Sequence, residues 1–467
     1  MSEVVERASP QLVDDLQMVR LGDYLNVIRG ASPRPKGDPR YFGGDIPWIS
    51  ISDITREPGK YLSRTREFVT RAGAEKSRLL PAGTLILSNS GTVCVPKILR
   101  VDGCIHDGFV AFPDLPDSFD KNYLYWFFEY VRPSIIEANR QGITQVNLNT
   151  GIVREIRLPL TSIERQREIV AELEKQFSRL DEAVGNLQRV KANLKRYKAS
   201  VLKAAVEGRL VETEATLARR EGRTYETGEQ LLQRILEERR AKWVEKRKYK
   251  EPIAPVTGEL PELPEGWTWA TMPQLGELNR GKSKHRPRDD QALYGGPYPF
   301  IQTGDVRRSD GSITQFTQTY SQFGLAQSRL WPSGTLCITI AANIAETGIL
   351  KLEACFPDSV VGFIPQMGSP TVEYVECFIR TARDRLDRFA SATAQKNINL
   401  EVLEAVAIPT PPLAEQARIV AEVDRLLSII REVEAEVDAN LKRALALRQA
   451  TLAKAFAPPE LIQDTTQ

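Results

Sequence analysis

The feature that most constrains this chain is that it repeats itself, once, about 250 residues further on. RGAS at 29–32 returns as RGKS at 280–283. YFGGDIPWISISDI at 41–54 returns as YGGPYPFIQTGDV at 294–306. LLPAGTLILS at 79–88 returns as LWPSGTLCIT at 330–339, and TQVNLN at 144–149 as AQKNIN at 394–399. IVAE at 169–172 recurs unchanged at 419–422. The matches keep one order and one spacing. Two copies of a domain-sized unit are therefore expected, not a solenoid of short repeats.

Each copy has the same plan. The PAGT and PSGT segments predict a turn feeding a buried strand. An aromatic helix follows, NYLYWFFEYVRPSIIEA in the first copy and YVECFIRTARDRL in the second. Tyr125, Trp126, Phe127 and Phe128 are consecutive on it, which favours core packing over base stacking. A long helix closes each copy, with Pro159 and Pro409 just ahead of it. Heptad counting from Ile163 puts Val170, Leu173, Phe177, Leu180, Val184 and Leu187 on one seam. Val420, Val423, Leu427, Ile430, Val437 and Leu441 form the other, and Gln166 and Gln416 share one d position. A stripe sustained over several heptads predicts a coiled coil. The simplest partner of each helix is the other; the alternative is two amphipathic helices, each packed on its own domain.

The expected organisation is a first globular domain at 1–160, a first long helix at 161–207 and a charged helical and Pro-rich linker at 208–262. A second domain follows at 263–410, then a second long helix at 411–457 and a tail at 458–467. The fold class is α+β: two tandem mixed α/β domains separated by two long helices, with an internal pseudo-two-fold repeat.

Composition removes several chemistries. The 467 residues are 42% hydrophobic and 27% charged, ordinary for a globular protein. No apolar run reaches the ~18 residues of a membrane span, and MSEVVERASP lacks the apolar core of a signal peptide. A cytoplasmic location is the expectation. Five cysteines without a CxxC pair suit neither a disulfide framework nor a zinc ribbon. With His106 and His285 alone, sites needing several imidazoles are excluded, and no metal site is expected. GELNRGKS at 276–283 fits a phosphate-loop pattern, but KHRPRDD with Pro287 opposes the helix that such a loop must open. Asp53 and Asp305 are repeated carboxylates in turn-like contexts, better read as caps. No nuclease or methyltransferase cluster is present, so no catalytic residue is assigned.

The formal charge of +2 decides nothing by itself; clustering does. The loop at 29–40 carries Arg34, Lys36 and Arg40. Its counterpart carries Lys282, Lys284, Arg286 and Arg288. Basic side chains on Pro/Gly-rich loops, at the same place in both copies, suit phosphate contact and groove insertion. Asn89, Ser90, Thr92 and Lys97 on one polar loop, Arg140, Gln145 and Asn147 on the next, and Arg307, Arg308, Asn343, Gln395, Lys396 and Asn397 in the second copy complete the candidate DNA-binding set. Turn capping is an equally good reading of the Asn and Gln members.

MVRLGDYLNVIRGASP, ELPEGWTWATMPQLGEL, GEQLLQRILEERRAKW, SIERQREIVAELEKQFSRLDEAV and PLAEQARIVAEVDRLLSII together resemble the specificity (S) subunits of Type I restriction–modification enzymes over nearly the whole chain. The resemblance implies a non-catalytic subunit that reads a bipartite, asymmetric double-stranded DNA target, one half-site per domain, with antiparallel spacer helices setting the gap. It implies two modification subunits that use S-adenosylmethionine, and restriction subunits that use ATP and Mg²⁺, with no cofactor in this chain. Residues shared by both copies cannot tell two half-sites apart, so base readers are expected where the copies differ: 32–40 against 283–291, 56–66 against 307–315 and 88–97 against 339–347. A scaffold that binds only protein, or a stand-alone enzyme using the GKS motif, are the competing readings.

Overall fold

Each copy of the repeat is built around a strand that is buried on both faces, Leu85–Ser88 in the first and Leu336–Thr339 in the second. The turn before it needs a residue in the left-handed region, and Gly83 (φ +91°) and Gly334 (φ +86°) supply it. In this computed structural model residues 17–89, 92–140, 148–243, 249–341, 344–367, 371–391 and 398–457 are described. The chain divides into two compact units, 1–188 with 438–467, and 189–437.

In the first unit a five-stranded sheet runs in the order Ile28–Arg29, Phe109–Phe112, Leu85–Ser88, Pro96–Leu99, Tyr61–Leu62, antiparallel except for the last pair. A four-stranded sheet contains Glu67–Val69, Phe42–Ile49, Gly103–Ile105 and Leu79–Leu80. The second unit repeats the five-stranded sheet strand for strand, with Gly276–Arg280, Val360–Pro365, Leu336–Thr339, Thr347–Leu350 and Gly311–Ile313, again parallel only at the end. Its second sheet keeps Tyr294–Phe300 with Gln318–Tyr320; the other two pairings survive as isolated bridges, Phe300 to Cys355 and Trp331 to Ala354.

The aromatic helix Lys121–Arg140 lies against the first sheet with Tyr123, Leu124, Phe127 and Phe128 essentially inaccessible. Its aromatics are core, as their clustering predicts. Tyr123 donates to Pro159 O (2.7 Å) and Tyr374 of the helix Thr371–Ser391 donates to Pro409 O (2.6 Å), so one bond fixes each aromatic helix to the strand leading into the long helix.

The long helices are Ile163–Val206 and Leu413–Phe456, 44 residues each. Residues 163–188 and 438–456 of these helices belong to the first unit, and 189–206 and 413–437 to the second. In the first unit Val170, Leu173, Phe177 and the half-buried Leu180 share a core with the aromatic helix and with Leu452 and Phe456. In the second unit Val423, Leu427 and Ile430 share a core with Tyr374, Val201 and Leu202, and Val420 packs at its edge. Val437 is buried too, while Val184, Leu187 and Leu441 are half-buried. Both expectations for the stripe therefore hold in part. The N-terminal half of each helix packs on its own domain and also receives the C-terminal half of the other.

The shared d-position glutamines do not act across the seam. Gln166 accepts from Asp120 N (2.8 Å) and donates to Ser118 O and Thr161 O; Gln416 accepts from Thr371 Oγ1 (2.9 Å) and donates to Pro411 O. Each ties the start of a long helix to the start of its domain's aromatic helix. The linker helices Glu214–Glu221 and Gly228–Ala241 belong to the second unit, the second of them with a capping box from Thr227 and Gln230. No helix among the described residues is long and apolar enough to cross a membrane.

Candidate nucleic-acid interface

The two basic loops are anchored by the same device. Arg29 donates through Nε to Asp107 O (3.0 Å), and Arg280 donates to Asp358 O (3.0 and 2.8 Å). The following glycine permits this approach: a Cβ on Gly30 would sit 2.1 Å from His106 O, and one on Gly281 2.3 Å from Pro357 O. The aspartate side chains then grip the loop. Asp107 accepts from Ser32 Oγ (2.8 Å) and faces Arg34 (3.4 Å), while Asp358 pairs with Arg288 (3.1 Å). Burial opposes ionisation of Asp107, yet the Ser32 hydroxyl bond, His106, Arg34 and Arg29 together hold it below the usual carboxylate range. Both loops carry a cis X-Pro bond, Arg34–Pro35 and Arg286–Pro287. The repeated RG pair is thus framework, anchoring the loop identically in both copies. Asp107 and Asp358 escaped sequence reading, although they match each other in HDG and PDS.

The candidate cations fall into distinct groups. Lys36, Lys282 and Lys284 are exposed and form no side-chain hydrogen bond or ion pair among the described residues. Arg286 is exposed and folds back on Ser283 O and His285 O (2.8 Å each). Arg34, Arg40, Arg288 and Arg308 are exposed but paired with Asp107, Asp38, Asp358 and Asp305. Arg40 donates to Asp38, and this bond brings the Asp38 carboxyl down to about 2. Arg307 lies 4.0 Å from Glu346. Such exposed pairs exchange partners at small cost, which leaves these guanidiniums available to a polyanion.

Two candidates are corrected by the structure. Lys97 is 2% exposed, and its ammonium donates to Glu57 O and Gly59 O, inside the fold. Burial lowers its pKa. Asn89 is likewise buried and donates to Asp107 O (3.2 Å). Both residues hold loops from within and present nothing to a ligand. Thr92 is half-buried, with its carbonyl accepting from Ser88 Oγ. Ser90, Gln145, Asn147, Asn343, Gln395, Lys396 and Asn397, and the side chain of Arg140, lie outside the described residues.

The remaining motifs resolve into structure. Asp53 and Asp305 accept from Ser50 N (2.8 Å) and Gln302 N (2.9 Å) as the far members of capping boxes. The second asparagine of each N-x-N motif caps a short helix: Asn149 accepts from Ile152 N and Asn399 from Val402 N, both at 2.9 Å. GELNRGKS is not a phosphate loop. Its first five residues are the strand Gly276–Arg280, and residues 281–290 form a loop rather than a helix. No group of His, Cys, Asp and Glu able to hold a metal occurs among the described residues.

Under the first basic loop lies a cleft of roughly 240 Å³. Arg34 and Lys36 line it together with Ser32, Phe42, Trp48, Ser50, Ser52, Glu67 and His106. His106 Nδ1 lies 2.8 Å from Gly108 N, which donates to it, and 3.0 Å from the Asp107 carboxylate. Burial pushes the His106 pKa down, against the pull of Asp107 and with Lys36 and Arg34 adding to it. The cleft offers an imidazole, three hydroxyls, a carboxylate and two cations within one loop-lined depression.

The family model for the Type I restriction modification DNA specificity domain matches this chain twice, over residues 13–192 and 264–443. The chain belongs to this family. The specificity subunit of the Type I restriction enzyme EcoKI from Escherichia coli (strain K12) is 22% identical over 463 residues, covering 92% of this chain and 86% of the relative. The EcoBI specificity subunit from Escherichia coli is 23% identical over 348 residues, 73% of this chain and 66% of the relative. The MjaIX specificity subunit from Methanocaldococcus jannaschii is 26% identical over 192 residues, 40% of this chain and 43% of the relative. The matched region thus spans less than two thirds of these last two relatives.

Two solved structures share the fold. The HsdS subunit from Thermoanaerobacter tengcongensis superposes with a TM-score of 0.50 at 21% identity, over 98% of this chain and 99% of that one. A chain solved in a study of complex assembly and conformational transition of the type I R-M system gives 0.64 at 19% identity, over 94% and 97%.

Proposed function

We propose that this chain is the DNA-specificity subunit of a Type I restriction–modification complex. Each specificity domain reads one half of a bipartite, asymmetric site in double-stranded DNA. The helices Ile163–Val206 and Leu413–Phe456 carry two modification subunits and restriction subunits. S-adenosylmethionine, ATP and Mg²⁺ belong to those partners, and this chain supplies recognition alone. The observation that carries the reading is the duplicated family domain, together with basic loops pinned by one arginine–glycine–aspartate device in both copies. The framework is common and the tips differ, as two different half-sites require.

Reconstitution with the modification subunits tests it. The complex should methylate adenines in one bipartite sequence, and its binding to random DNA should weaken steeply as salt rises. The isolated chain should neither cut nor methylate. Sequence-independent methylation, or salt-insensitive binding, would refute the proposal.

A further inference from the structure

One strand position differs between the two copies in a way that reaches the candidate DNA face. Glu67 pairs in register with Trp48, and Gln318 pairs in register with Phe300, the residue equivalent to Trp48 in the repeat. Both side chains are exposed. Gln318 accepts from Gln302 Nε2. In the first copy Ser50 stands where Gln302 stands in the second; its hydroxyl is short and bonds Asp53 (2.8 Å) and Ser52 (2.8 Å) instead. The Glu67 carboxylate is left without a hydrogen bond or ion pair among the described residues, although Arg34 and Lys36 line the same cleft.

A lone carboxylate on a face built for phosphate is repelled by the backbone it must approach. As an acceptor-only group it gains only from a donor, and the donors on DNA are the amino groups of base edges. In the major groove a carboxylate suits cytosine N4, whereas a carboxamide, with a donor and an acceptor, suits adenine N6 and N7. Resting on the proposed function, we infer that this register position sets one base in each half-site. Glu67 accepts from a cytosine amino group in the half-site of the first domain, and Gln318 bonds an adenine edge in that of the second.

The exchange variants Glu67→Gln and Gln318→Glu test this in the full chain, reconstituted with its modification subunits on a library randomised at both half-sites. Glu67→Gln should move one position of the first half-site from cytosine toward adenine, with discrimination falling roughly ten- to hundred-fold, while the second half-site and binding to random DNA hold. Gln318→Glu should do the reverse in the second half-site alone. If the wild-type complex methylates a bipartite site and both variants keep its consensus, the assignment is overturned while the proposed function stands. If the wild-type complex shows no bipartite preference, both are overturned.

Discussion

Arg448 donates to Asp181 at 2.8 Å across 267 residues of sequence. The same guanidinium lies 4.4 Å above the Phe177 ring and 5.6 Å from that of Trp126. Two turns further on, Phe456 is buried against Tyr123 (5.0 Å), Phe127 (5.8 Å) and Tyr130 (5.9 Å). The last turns of the second long helix are therefore part of the first unit's core.

Phe456→Ala should cost about 3–5 kcal/mol, as a buried ring does, although it lies far in sequence from the first domain. Arg448→Ala removes a half-exposed ion pair and a ring contact, together worth about 1 kcal/mol. Hydrogen exchange should show Phe456→Ala deprotecting 121–140 and leaving 371–391 protected. Deprotection of both helices alike would contradict the division of the core.

On the seam the two units differ in depth. Leu427 is 4% exposed within its core, whereas Leu180 is half-buried. An unpaired carboxylate in the first setting costs several kcal/mol. Leu427→Asp should lower the midpoint of chemical denaturation more than Leu180→Asp and should abolish recruitment of modification subunits in size-exclusion chromatography. Equal midpoints for the two variants would show that the seam is equally open at both levels.

Cations read from sequence separate by their burial. Lys36→Ala should weaken binding to all DNA sequences and flatten the salt slope by about one unit, with thermal stability unchanged. Lys97→Met leaves two turn carbonyls without a donor, a loss of about 1–3 kcal/mol. Its salt slope should match wild type, and a flattened slope would restore Lys97 to the interface.

These contrasts show what the sequence could and could not display. The buried strands, the aromatic cores and the paired caps at Asp53 and Asp305 were legible because both copies carry the same residue type with the same periodicity. Lys97 and Asn89 were misjudged as DNA contacts because charge and polarity were read without their partners in the repeat. Lys97 aligns with Gly348, itself buried, and Asn89 with Ile340, a residue 1% exposed, so both counterparts lie inside the fold. The glutamines at d show a different limit. Heptad spacing identifies the face of a helix but not which neighbour that face meets, and here the neighbour is the start of an aromatic helix. Asp107 and Asp358 hold the loops through contacts 78 residues from Arg29 and Arg280, beyond the reach of local pattern.

Glu376 gives the fold a pH response. It is 6% exposed. Burial raises its pKa although Arg380 and the Thr347 hydroxyl work in the opposite direction. The folded state then holds this proton at pH values where the unfolded chain has released it. The contribution is full below the ordinary value of 4.5 and falls as pH rises toward the folded value. Glu376→Gln keeps an acceptor for Thr347 Oγ1, which donates to Glu376 at 2.8 Å, without the charge. It should melt a few degrees higher than wild type at pH 8 and show a smaller difference near pH 4.5. A variant that loses stability at pH 8 would show that the Arg380 pair outweighs desolvation.

The repeat makes its strongest demand on a fragment ending near residue 210. Such a fragment keeps the first domain and the whole helix Ile163–Val206 but loses the turns that carry Arg448, Leu452 and Phe456. A second copy offers replacements at the equivalent positions: Lys198 for Arg448, Leu202 for Leu452 and Ala205 for Ala455. Lys198 of one copy can meet Asp181 of the other, so the charge pattern survives and an antiparallel C2 dimer is the expected product. Val206 stands where Phe456 stood and leaves space beside Tyr123, Phe127 and Tyr130. The fragment should therefore dimerise less stably than the intact chain holds together, and Val206→Phe should tighten it. With modification subunits, the dimer should methylate an interrupted palindrome of the first half-site and ignore the second. Sedimentation showing a monomer at all concentrations, or a Val206→Phe dimer weaker than its parent, would show that the two helices are not interchangeable.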